Sequence, residues 1–171
     1  MKNIIAFSKS LPKHANRKWI PYALAGIAFT DYFIFVIPLD AIVVGCFFAA
    51  PKRWLSFSFW ASLGSVIGAA IFSELIRIFG INALLNWYPD LMKGAFVEDF
   101  TVWLQHYGFW PLIGAAMSPI AQHPFVAIET IAGVSLGTMV ASLFIGRMLK
   151  YALYTWLSKH ARKRFARFFE D

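Results

Sequence analysis

Apolar residues in this chain gather into long runs, and the polar residues that interrupt them fall at a few discrete places. The first run covers residues 19–50. At 32 residues it is too long for one upright membrane helix and short for two full crossings with a turn between them. Near its middle stands the segment 31–40, DYFIFVIPLD, with Asp31 and Asp40 nine residues apart and Pro38 between them. Pro38 lacks the amide needed for the bond four residues back, and it disfavours helical geometry at Ile37. The run is therefore predicted to break there and to fold back as a re-entrant hairpin, ended by Pro51, Lys52 and Arg53. Residues 54–79 predict a spanning helix, since the stretch from Leu55 covers about 37 Å at ~1.5 Å per residue. Within it Gly64 and Gly68, with Ala61 extending the spacing, favour close helix contact. Residues 80–107 form a polar and aromatic segment, in which 91–106 reads as an amphipathic helix lying on the membrane surface. Residues 108–134 repeat the opening pattern: an apolar limb, a break at SPIAQHP, and a second apolar limb. Pro119 and Pro124 cannot both sit inside a regular helix. Residues 136–157 predict a second spanning helix.

Composition and charge turn this pattern into a topology. A chain of 171 residues that is 59% hydrophobic and 15% charged lacks the polar surface of a water-soluble globule of its size, so it reads as an integral membrane protein. The net charge of +7 invites a nucleic-acid reading, but 12 of the 16 basic residues sit in the arm 1–18, at Lys52–Arg53 and in the tail 158–171. That is the distribution of positive-inside topology, and it speaks against nucleic acid. Segment 80–107 has one base, Lys93, against Asp90, Glu98 and Asp99, and so is expected outside. With the second break re-entering from outside, both termini become cytoplasmic. The expected fold is an all-α polytopic protein of the cell (inner) membrane, with two opposed re-entrant hairpins plus spanning helices in an inverted repeat. Its membrane domain, 19–157, lies between a basic arm and a basic tail. The first 18 residues have no apolar core or small-residue cleavage site, so no cleavable signal is expected. The single Cys46 excludes an intramolecular disulfide and a cysteine metal cluster. No nucleotide-binding loop, nucleophile elbow or zinc-hydrolase motif is present, so neither an enzyme nor a cofactor is expected.

The candidate chemistry lies at the breaks. Carboxylates at membrane depth are costly and are functional-site candidates by default, which singles out Asp31, Asp40 and Glu129 as proton-sensitive groups. Gln122, His123 and Arg147, with Glu74 and Arg77, are candidates for head-group contact or ion pairing. Pro38, Pro119 and Pro124 mark the breaks. Each candidate has a plainer reading. The charges would only hold the two hairpins together, Gln122 and His123 would satisfy broken backbone, and Glu74 with Arg77 would form an i,i+3 pair. For Arg147 both readings stay open, because Lys150 one turn later suggests a helix end snorkelling outward.

At these breaks the sequence resembles the DedA superfamily with the VTT domain, in its short YqaA-like branch. The first element of that family is matched by Asp31, Ile37, Pro38 and Asp40, followed by Leu63, Gly64, Ser65 and Gly68. The second is matched by residues 107–110 (YGFW), Ser118, Pro119, Ile120 and Gly133, with Gly146 and Arg147 after it. Val36 and Ala121 stand where the family has prolines, His123 where it has lysine, and Phe72–Ser73 where it has a Gly-Tyr pair. The resemblance spans about residues 20–157. It implies facing re-entrant hairpins and a lipid-translocating or proton-linked transport role, on substrates such as an anionic phospholipid or a polyprenyl phosphate. The expectation is a flippase-like transporter of a lipid or lipid-linked anion, with protons as partners and a homo-oligomer among the assemblies it allows. A non-transporting membrane scaffold and a small-solute or ion channel are the alternatives.

Overall fold

The computed structural model describes residues 17–34, 39–87, 95–107, 109–118 and 122–168. Every regular element among them is helical. Helices α1 (Ile20–Thr30) and α2 (Leu39–Ala49) have 11 residues each. A 3-10 turn at Pro51–Arg53 leads into α3 (Trp54–Phe79), of 26 residues. Then come α4 (Ile81–Trp87) and α5 (Ala95–Tyr107). A second short pair, α6 (Phe109–Met117) and α7 (His123–Ile131), precedes α8 (Leu136–Phe168), of 33 residues. Two short helices followed by a long one thus occur twice. Among the described residues, the segments long and apolar enough to cross a membrane are Pro51–Phe79 and Leu136–Leu157.

Local chemistry sets several of these boundaries. Helix α1 carries Pro21 in its first turn, where a missing amide costs nothing. Pro124 has the same place in α7. It therefore opens α7 rather than interrupting a helix, and α6 has already ended at Met117. Pro38 and Pro119 lie outside the described residues. Helix α3 stops at Gly80, whose φ of +76° suits glycine and whose amide bonds to the Ile76 carbonyl at 2.9 Å. The surface helix expected over 91–106 corresponds to α5, and α4 forms a separate turn before it. Helix α8 does not end at 157. No Gly or Pro occurs between Arg147 and Phe168, so nothing in the sequence stops it where the apolar residues run out.

Helix α3 is the central post. A Cβ on Gly64 would overlap the Ala25 carbonyl, and one on Gly68 would stand 2.8 Å from the Phe29 carbonyl oxygen, so α1 lies directly on this backbone. Gly146 does the same for α6: a Cβ there would stand 2.8 Å from the Ile113 carbonyl oxygen. Phe57 and Ala61 cluster with Tyr151, whereas Val66, Ala69 and Phe72 cluster with Met139 and Leu143. Helices α3 and α8 therefore run antiparallel. Phe125 and Ile128 of α7 pack with Phe100, Leu104 and Leu112 of α5 and α6. Inward-facing residues of α3 include Ser58, Ser62, Ser65 and Ser73, while Leu55, Phe59, Ile67 and Ile71 are exposed. Small and hydroxylic residues inside with large apolar ones outside is the packing expected when the surroundings are lipid.

Candidate functional site

The two interruptions and the middle of α8 bring their polar residues together. Arg147 is 3% exposed. Its Nε donates to Gln122 Oε1 at 3.1 Å and its Nη2 donates to the same oxygen at 2.6 Å. Nη2 also reaches the Tyr32 hydroxyl at 3.4 Å, and the guanidinium lies 5.9 Å from the Tyr32 ring centroid. Gln122 donates through Nε2 to the Ala116 carbonyl at 2.9 Å, which fixes its amide with the oxygen towards Arg147. The hydrogen-bond partners of Arg147 are thus neutral. Among the described residues no carboxylate lies within ion-pair distance of it.

One turn along α8, Lys150 is equally buried. Its Nζ stands 3.0 Å from Asp40 Oδ1 and 3.1 Å from Oδ2, and donates to the Ser118 carbonyl at 3.4 Å. Tyr154 donates to Asp40 Oδ2 at 3.5 Å. The Asp40 side chain stays 33% exposed, so this pair lies at the rim of the site. Lys150 does not snorkel outward, as its position after Arg147 suggests; Asp40, 110 residues earlier, draws it in. Asp31 is half-buried at the end of α1, within electrostatic reach of Arg147, Lys150 and Asp40. Its carbonyl lies 2.9 Å from His123 Nε2. A carbonyl only accepts, so Nε2 carries the hydrogen.

The remaining candidates lie apart from this cluster. Glu74 and Arg77 form an exposed pair at 3.2 Å, and Arg77 Nη2 also donates to the Val134 carbonyl beyond α7 at 2.9 Å. Glu129 is fully buried two turns after Gln122, and among the described residues neither of its carboxyl oxygens has a hydrogen-bond partner. Beside it the Thr130 hydroxyl lies 2.6 Å from the Val126 carbonyl and 2.9 Å from Ser73 Oγ. With one hydrogen, it donates to the carbonyl and accepts from Ser73.

Tyr32, Lys150 and Tyr154 belong to the site and were not among the candidates read from the sequence. A signal for the latter two was present: 147, 150, 151 and 154 fall at i, i+3, i+4 and i+7, one face of a helix. Chemically, a guanidinium and an ammonium one turn apart, with phenols beside them, form the donor set that an oxyanion accepts from.

No family model matches the chain. It is 21% identical over 152 residues to an uncharacterized protein of Haemophilus influenzae, covering 89% of this chain and 79% of that protein. It is 24% identical over 152 residues, with the same coverage, to a Histophilus somni protein described as an uncharacterized homolog. No solved structure matches.

Proposed function

We propose that the protein is a polytopic membrane transporter of the VTT type that moves a lipid or lipid-linked anion across the bilayer. The observation that carries this reading is the buried cation pair Arg147 and Lys150, in contact with Tyr32, Asp40, Ser118 and Gln122 and, among the described residues, with Arg147 bonded only to neutral groups. Ionisable groups inside a membrane domain mark substrate or ion pathways, and a cation with no carboxylate at ion-pair distance among the described residues leaves charge for an anionic head group to match. In this reading α1–α2 and α6–α7 are hairpins entering from opposite faces. The helices of the first pair have 11 residues and those of the second nine, about 16 Å and about 14 Å, roughly half of a ~30 Å hydrocarbon core, so each hairpin would come close to the midplane.

Asp40 is then the competitor of the substrate. Its carboxylate holds Lys150, and a phosphate entering the site would take its place, with Tyr154 able to follow. Asp31 lies close enough to both cations to tune the same exchange. Anionic phospholipids and polyprenyl phosphates share the phosphate this site would take.

Purified protein in vesicles containing labelled anionic or zwitterionic lipids provides the test. Arg147→Gln should cut anionic-lipid movement about tenfold or more, the equivalent of one charge-assisted hydrogen bond of ~1.5 kcal/mol. Asp40→Asn should leave Lys150 without its carboxylate and tighten the apparent affinity for anionic lipid. Full transport of anionic lipid by folded Arg147→Gln would refute the reading. The scaffold alternative is favoured by one observation, that the Tyr32–Gln122–Arg147 contacts already join α8 to both breaks. It requires that wild-type vesicles move lipid no faster than protein-free ones.

A further inference from the structure

Among the described residues, Glu129 is the most enclosed carboxyl group: none of its surface is exposed and its oxygens have no hydrogen-bond partner there. Its neighbours on α7 are better served, since Thr130, Gln122 and His123 all bond to backbone or side-chain groups. Among the described residues, the charges that could compensate Glu129 are committed elsewhere. From α3, Glu74 and Arg77 pair with each other, and Arg77 also holds the Val134 carbonyl. From α5, Phe100 and Leu104 face α7, while Asp99 and His106 are exposed. From α6 come Leu112 and Ala115. From α8 come Met139 and Leu143, with Arg147 bonded to Gln122 and Lys150 to Asp40. Here an ionised carboxylate has lost its water and gained no partner, whereas the neutral acid pays only the smaller cost of an unpaired polar group.

We propose that Glu129 is a proton-carrying site separate from the Asp40–Lys150 pair. It is held as the carboxylic acid while α7 is seated against α3 and α5, and it releases its proton when α7 parts from them and water enters. The step is the transfer of the carboxyl O–H proton to water, leaving a carboxylate and hydronium, and it reverses on reseating. The Ser73–Thr130 hydroxyl contact, one residue away, is the closure that would break first. That this proton serves lipid movement rests on the transport reading above; its presence on Glu129 does not.

Infrared difference spectroscopy of the wild type against Glu129→Gln, in vesicles at neutral pH, reads the acid directly. The wild type should show a protonated-carboxyl C=O stretching band that the Gln variant lacks. Glu129→Asp should keep a displaced band, which preserves the test if the Gln variant misfolds. A wild type without the band overturns the site. So does its loss on adding sodium at constant pH, which would mean a metal cation replaces the proton. So does its loss in Asp40→Asn, which would move the acid elsewhere. In transporting vesicles Glu129→Gln should lose its response to pH. A wild-type response alongside a lost band would overturn the coupling role, whereas absent transport in the wild type would refute the lipid reading instead.

Discussion

Gln122 and Arg147 offer a stability test of the site that needs no substrate. Gln122→Leu removes the one oxygen that accepts from both Arg147 Nε and Nη2 and leaves the guanidinium buried. A charge-assisted bond contributes about 1.5–3 kcal/mol, and two donors sharing one acceptor count for less than two such bonds, so the expected loss is ~2–3 kcal/mol. Arg147→Met leaves Gln122 Oε1 with only the Tyr32 hydroxyl at 3.5 Å. That near-orphaned acceptor costs about 1–3 kcal/mol, offset in part because a charge is no longer buried. The double variant removes both halves at once. It should fall short of the summed single losses by ~2 kcal/mol, roughly thirtyfold in the folding equilibrium. Interhelical hydrogen bonds in membrane proteins average only ~0.6 kcal/mol with a maximum near 1.7, so this coupling lies just above that range, as a dry charged contact should. Unfolding the four proteins in mixed micelles by rising dodecyl sulfate, followed by circular dichroism, measures it. Additivity within about 0.5 kcal/mol would show that Arg147 and Gln122 do not share the contact described.

Gly64→Ala should destabilise the protein by about 1–3 kcal/mol in the same assay, because its Cβ meets backbone of α1 that cannot rotate away. Gly45→Ala, with nothing within 4 Å of its Cβ, is the control and should be neutral or slightly stabilising; equal effects would mean that α1 is not seated on α3. In a Cys46→Ala background, single cysteines at Ser8, Lys52 and Lys159 should react with membrane-impermeant reagent only from the cytoplasmic side, and one at Lys93 only from outside. External labelling at position 52 would overturn the first hairpin.

What the sequence made legible was local. Apolar length alone delimits the spans, and the spacing of Gly64 and Gly68 announces a close neighbour without naming it. The i,i+3 distance foretells Glu74 with Arg77, but nothing local points Arg77 at the Val134 carbonyl, 57 residues on. Lys150 shows the limit most clearly. Near a helix end, a lysine followed by a basic tail reads as snorkelling, and only the return of α2 brings Asp40 within 3.0 Å of it. Tyr32 was hidden for a different reason: one aromatic among many in an apolar run carries no mark of being the residue that lies against a buried arginine. Pairings closed by tertiary packing leave no periodic trace.

The shortness of the paired helices bears on how the protein is made. An insertion machinery that hands segments to lipid by apolar length recognises about 20 residues, and α6 and α7 have nine each. If the protein is a membrane transporter as proposed, neither would settle in the bilayer alone. Each pair also precedes, on the ribosome, the long helix that holds it: α1 waits for Gly64 and Gly68, and α6 waits for Gly146. The first half of the protein can therefore assemble while the second is still being translated. The second half stays unseated until α8 emerges, so a chain cut short before Gly146 would leave α6 and α7 with no helix to lie on.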